Sequence, residues 1–167
     1  MTAPEPLQRA GVRKGPTGLD RVAARSQIME VLHEYANMAV EQAEFASMHR
    51  LFHEDGRFIL TTGAAVSCTE IHRVVSGSEP NFIRHHITTV RIDFTSDTTA
   101  DTDSYFIAVT DLAVPDHWGR WRDTFRRGAD GRWLLTRKEP VIEGFAPGSW
   151  VATVLLPSLS DTQDAPT

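Results

Sequence analysis

The stretch from Phe82 to about residue 143 constrains the fold most. Apolar and polar residues alternate there with period two, the pattern of half-buried strands whose side chains take opposite faces in turn. Turn residues divide it into four long strands, predicted at 83–96, 103–113, 117–128 and 132–143. Thr95-Ser96-Asp97 and Asp101 mark the first break, Pro115-Asp116 the second, and Ala129-Asp130-Gly131 the third. Asp-Gly between apolar runs is a strong hairpin signal. Four strands joined in this way form an antiparallel meander, whose apolar face needs a cover.

The N-terminal half supplies that cover. Val22, Ile28, Met29, Val31, Leu32, Tyr35, Met38 and Ala39 recur at three- and four-residue spacing, which builds one apolar face on a helix starting near Asp20 or Ser26. A second short helix is expected from Glu44, with Phe45, Met48, Leu51 and Phe52 as its stripe. His53-Glu54-Asp55-Gly56 reads as a turn and Arg57–Thr62 as a strand. A third helix is expected from Ser67–Thr69, since Ser67 and Glu70 have capping-box spacing. Helices packed on an antiparallel sheet make an α+β fold.

The 167 residues fit one domain, placed at 19–156. Residues 1–18, rich in Pro and Gly, read as an arm, and 157–167 as a polar tail. The net charge of −5, from 17 basic and 22 acidic residues, argues against a general nucleic-acid binder. No apolar run has the roughly 18 residues a membrane span needs, and the N-terminus lacks the apolar centre of a signal peptide. Cys68 is the lone cysteine, so neither an intrachain disulfide nor a cysteine-based zinc site is expected. The composition fits a cytoplasmic protein.

Strand alternation nominates the inward groups. On the first long strand His85, Ile87, Thr89 and Arg91 share one face; His86, Thr88, Val90, Ile92 and Phe94 share the other. The second offers Asp103, Tyr105, Ile107, Val109 and Asp111 on one face. The third places Asp123 between Trp121 and Phe125, with Arg120, Arg122, Thr124 and Arg126 opposite. The fourth offers Trp133, Leu135 and Arg137. An aspartate on an apolar face must be solvated, paired or functional, because an unpaired buried charge is strongly destabilising. Pairing with Arg137 or Arg122 is the simplest expectation for it. Tyr35 and His85 are each open to a packing role as well as a chemical one. The arginines at 120, 122, 126 and 127 read as a solvated outer face or a partner surface.

No phosphate-binding glycine loop, zinc-binding HExxH or nucleophile elbow is present. His49 and His53 stand four apart, which alone is a weak metal signal. Catalysis by this chain is therefore expected to use side-chain acids and bases, with no metal and no cofactor.

Three segments carry a resemblance to a known family. Glu34–Phe58 pairs a helix tyrosine with acidic residues and a short second helix; Arg84–Phe94 enters the sheet; Gly119–Lys138 contains a Gly-Arg-aromatic strand and an Asp-Gly-Arg-Trp hairpin. Together they resemble the SnoaL-like branch of the nuclear-transport-factor-2-like superfamily, which includes polyketide cyclases and scytalone-type dehydratases. The resemblance, covering about residues 20–145, implies a cone: a curved mixed or antiparallel sheet and three helices enclosing a pocket. It implies Tyr35 and His85 as catalytic groups. The family's aspartate has no direct counterpart, since Val40 stands five residues after Tyr35 and Glu41 is the nearest acid. Asp123 or Glu41 is then the supporting carboxylate.

Such a set can run cyclisation, dehydration or isomerisation on a small apolar biosynthetic metabolite. Trp121, Phe125, Ile87, Phe58, Met38 and Thr89 are expected to line its pocket. A homodimer through the open sheet face is implied by the resemblance. Two alternatives stand beside this reading: epoxide opening around Asp111, Asp123 and Arg137, and a non-catalytic binding or assembly subunit.

Overall fold

The computed structural model describes residues 15–38, 45–73 and 80–155. Its one long helix, α1 (Gly18–Met38), buries Ala24, Ile28, Val31, Leu32, Tyr35 and Met38. From Ile28 onward these are the three- and four-residue steps of the sequence pattern, so the stripe faces the sheet; Val22, expected in it, is exposed, and Ala39 lies outside the described residues. Asp20 lies in the first turn, where a negative charge complements the helix dipole. The described parts of the second and third helices are 3-10 segments, at Phe45–Leu51 and Cys68–Arg73, and Phe52, expected in the second, opens a strand.

Six strands form one curved open sheet: β1 (Phe52–Ile59), β2 (Ala65–Ser67), β3 (Ile83–Phe94), β4 (Thr99–Thr110), β5 (His117–Arg127) and β6 (Trp133–Phe145). Their order is β2-β1-β6-β5-β4-β3. β3 to β6 form the expected antiparallel meander, while β1 runs parallel to β6. Gly131, at φ +84°, makes the last hairpin turn, a conformation that disfavours any side chain. The expected turn at His53–Gly56 lies inside β1, whose register against β6 shifts between Phe52 and Arg57. Asp101 is within β4 and not in the turn before it.

Two bulges overturn the expected face of several side chains. Ile87 pairs with Phe106 and Thr89 with Tyr105, so Thr88 is an extra residue. Alternation restarts beyond it: Ile92 and Phe94 are buried, and Thr89 and Arg91 face out. Thr89 therefore stands on the outer face, beside exposed Tyr105. On β6, Phe125 pairs with Leu135 and Thr124 with Arg137, so Thr136 is the extra residue. Arg137 is turned out and Lys138 turned in, fully buried. An inserted residue bends a strand and resets which side chains face the core.

The core lies between the concave face of the sheet and α1, which packs on β3 and β6. Met38, Phe58, Trp121 and Phe125 belong to it, and Ile87 packs against it. The Asp103–Asp111 side of β4 is the outer one; Thr102, Ser104, Phe106, Ala108 and Thr110 are inside. No described helix is long and apolar enough to cross a membrane.

Candidate active site

Tyr35 comes from the last turns of α1 and is buried. Its ring meets the edge of Trp121, with centroids 5.2 Å apart. His85, from β3, meets the same indole at 5.3 Å and also Phe106 at 5.3 Å and His117 at 5.8 Å. Trp121 and Phe106 stack on each other at 5.3 Å. Trp121 is thus the common floor that brings a helix tyrosine and a strand histidine together. The His85 side chain is half-buried, yet its Nδ1 is enclosed and has no hydrogen-bond partner among the described residues. Enclosed nitrogens are nearly always satisfied in folded proteins, which makes this one an exception.

Burial, reinforced by charge on His117, Lys138 and His86, pulls the His85 imidazole down to about 3 from its ordinary 6.5. It is neutral at physiological pH, with one nitrogen free to accept a proton. Burial, helped by the Asp123 carboxylate, pushes the Tyr35 phenol well above its ordinary value. Tyr35 therefore keeps its proton and acts as a donor.

Asp123 has a partner other than the arginines considered from the sequence. It lies directly across from Lys138 on β6, and Lys138 Nζ stands 2.9 Å from Asp123 Oδ2. Both side chains are fully buried. The ammonium also sits 3.5 Å from the Trp121 ring centre and 4.2 Å from that of Tyr35, within cation–π range. Burial raises Asp123 and lowers Lys138 to about 8. Lys138 Nζ thus ties the Asp123 carboxyl group to the faces of both rings. Alternation alone hid Lys138, because the Thr136 bulge turns it inward.

A second pair was equally hidden. Asp116 and His117 are both buried, and His117 Nδ1 lies 2.8 Å from Asp116 Oδ1. The sequence marks Asp116 only as a turn residue; the adjacent Asp-His at a strand start was the available signal. Glu41 lies outside the described residues. The epoxide arrangement is dispersed: Asp111 bonds Asn81, Arg137 pairs with Glu139 on the outer face, and Asp123 is inside. Among the described residues, no three His, Cys, Asp or Glu side chains gather as a metal centre would.

The profile of the SnoaL-like domain family matches residues 20–139. The chain belongs to the SnoaL-like family. No functionally curated protein sequence matches it. Solved structures share the family's nuclear-transport-factor-2-like fold at low identity. A scytalone dehydratase-like protein from Novosphingobium aromaticivorans aligns with TM-score 0.64 and 20% identity, over 76% of this chain and 89% of that one. A hexachlorocyclohexane dehydrochlorinase, LinA-type3, from Novosphingobium barchaimii aligns with TM-score 0.65 and 15% identity, over 77% and 92%. ActVI-ORFA from Streptomyces coelicolor aligns with TM-score 0.61 and 21% identity, over 72% and 98%. These likenesses establish the SnoaL-like fold; the chemistry must be argued from the site.

Proposed function

We propose that this SnoaL-like protein is a cofactor-independent acid–base enzyme, a dehydratase, cyclase or isomerase acting on a small, mostly apolar metabolite held inside the curved sheet. The observation that carries the reading is His85: a neutral imidazole, ringed by aromatics, with an enclosed nitrogen lacking a partner. Such a group takes a proton from a carbon next to a carbonyl, or returns one to a leaving oxygen. Tyr35 polarises the substrate oxygen by donating its phenol proton as a hydrogen bond. Asp123 supports the site through Lys138, whose charge helps keep His85 neutral. Trp121 and Phe106 give the substrate apolar walls. Neighbours that are dehydratase-like or dehydrochlorinases fit elimination as the reaction class.

The test is a turnover screen of apolar β-hydroxy ketones and linear polyketide-like esters, run beside His85→Ala. Turnover by the wild type that falls about 10²- to 10⁴-fold in the variant supports the reading. Equal turnover in both overturns it. A ligand that raises the melting temperature without being converted identifies a binding protein instead. Oxygen-18 from solvent in the product would mark hydrolytic epoxide opening.

We also propose that the chain pairs with a second copy through the outer sheet face. Registered rows there read Asp93, Asp101, Thr124, Arg137 and Arg91, Asp103, Arg122, Glu139 from β3 to β6. A two-fold axis along the strands, between β4 and β5, lays each row on its own reverse. Asp93 then faces the second copy's Arg137, Arg91 its Glu139, and Asp103 its Arg122. Exposed Tyr105, Ile107 and Trp118 continue the same face.

A further inference from the structure

Asp116 lies in the turn before β5 and is fully buried. Three donors from three elements converge on its carboxylate. Oδ1 faces His117 Nδ1 at 2.8 Å. Oδ2 accepts from the Thr110 hydroxyl at 2.7 Å and from the Trp150 backbone N–H at 2.8 Å. The Thr110 oxygen itself accepts from the N–H groups of Leu112 and Ala113, so its own hydrogen points at Asp116. A backbone N–H can only donate. With two donors aimed at it, Oδ2 has no room for a proton. Oδ1 is then left as the acceptor that faces His117 Nδ1–H.

In the neutral ring, which burial favours, this fixes one tautomer of His117: Nδ1 protonated, Nε2 bare. The ring is held edge-on to His85 and Phe106, with centroids 5.8 and 5.6 Å apart, and lies 6.2 Å from the Trp150 ring. Asp116 is the charged group bonded to it, and His85 the titratable group facing it from β3. We infer that Asp116 is a positioning residue, which locks His117 with Nε2 as a proton acceptor in the aromatic cluster that holds His85. The inference deepens the acid–base reading above, because it places the orienting carboxylate on the β4–β5 turn and not on the first helix.

The orientation yields a sharp test. In Asp116→Asn, the amide oxygen must stay at the Oδ2 position, where two donors point. Its NH2 then replaces Oδ1 and donates to His117, which must accept at Nδ1 and carry its proton on Nε2. Long-range proton–nitrogen NMR of histidine-labelled full-length protein reads the tautomer directly. The wild type is expected with Nδ1 protonated and D116N with the tautomer inverted, at retained near-UV circular dichroism. Turnover on a substrate from the screen is expected to fall about 10²-fold or more. A wild-type His117 protonated at Nε2, or a D116N protein that keeps Nδ1 protonated, overturns the inference.

Asp116→Ala provides a second variant should D116N not fold: with no acceptor left at Nδ1, the single Nδ1-protonated tautomer is expected to be lost, and a ring still held wholly in that form overturns the inference. Tautomers as expected in a protein that converts nothing would sink the proposed enzyme activity and leave the Asp116 assignment standing.

Discussion

Lys138 shows how one residue can govern a site it does not occupy. Its ammonium is satisfied by Asp123 and by the faces of Trp121 and Tyr35. Lys138→Met strands the Asp123 carboxylate in the core, at a cost of about 3–5 kcal/mol, measurable by urea unfolding. Lys138→Met with Asp123→Leu removes both charges and is expected to recover most of that loss. A single variant as stable as the wild type would contradict the buried pair. The histidines set the acid limit of stability. His85 sits at about 3 in the fold against an ordinary 6.5, so the unfolded chain binds protons more readily between those values. The His85 contribution to stability is complete above pH 6.5 and is lost as the pH drops toward 3, by up to about 1.4 kcal/mol per unit. Burial pulls His117 in the same direction. Melting temperature against pH should therefore decline below 6.5, and less steeply in His85→Gln.

At the scale of the element, the turn at Asp130-Gly131 defines the β5–β6 hairpin. Gly131 sits at φ +84°, with Arg127 at ordinary contact distance from where a Cβ would stand. Gly131→Ala should cost about 1–2 kcal/mol through backbone strain alone, read from chemical unfolding. The four long strands and α1 were legible because period two and period 3.6 are written directly into apolar spacing. Thr88 and Thr136 were not, since a bulge adds one residue to one strand without leaving a mark in the alternation. The consequence is specific: alternation alone puts Thr89 and Arg137 inward and hides Lys138. Asp123 was recognised as an anomaly on an apolar face, but its partner lay beyond the bulge. The Asp116–His117 pair escaped for a related reason. Adjacent strand residues should face opposite ways, and only the turn lets both side chains meet.

For the whole molecule, the SnoaL-like fold is readable from the order and spacing of three individually loose motifs, whereas the reaction is not. A cone of this kind supplies an apolar enclosure, and a few side chains decide what happens in it. The outer face of the same sheet makes its own prediction. Arg122→Asp sets like charges against the second copy's Asp103 and is expected to yield a monomer by light scattering. Asp103→Arg combined with Arg122→Asp should restore a mass of two chains. A wild type that runs as a monomer at low salt, where charge pairing is strongest, would dismiss this pairing.

The central claim is that His85 performs the proton transfer in the enclosed site. Its most direct test is kcat/KM of wild type and His85→Gln on one substrate from the screen, with folding verified by near-UV circular dichroism. A loss of about 10²-fold or more is the predicted result; an unchanged kcat/KM in a folded variant would contradict the account.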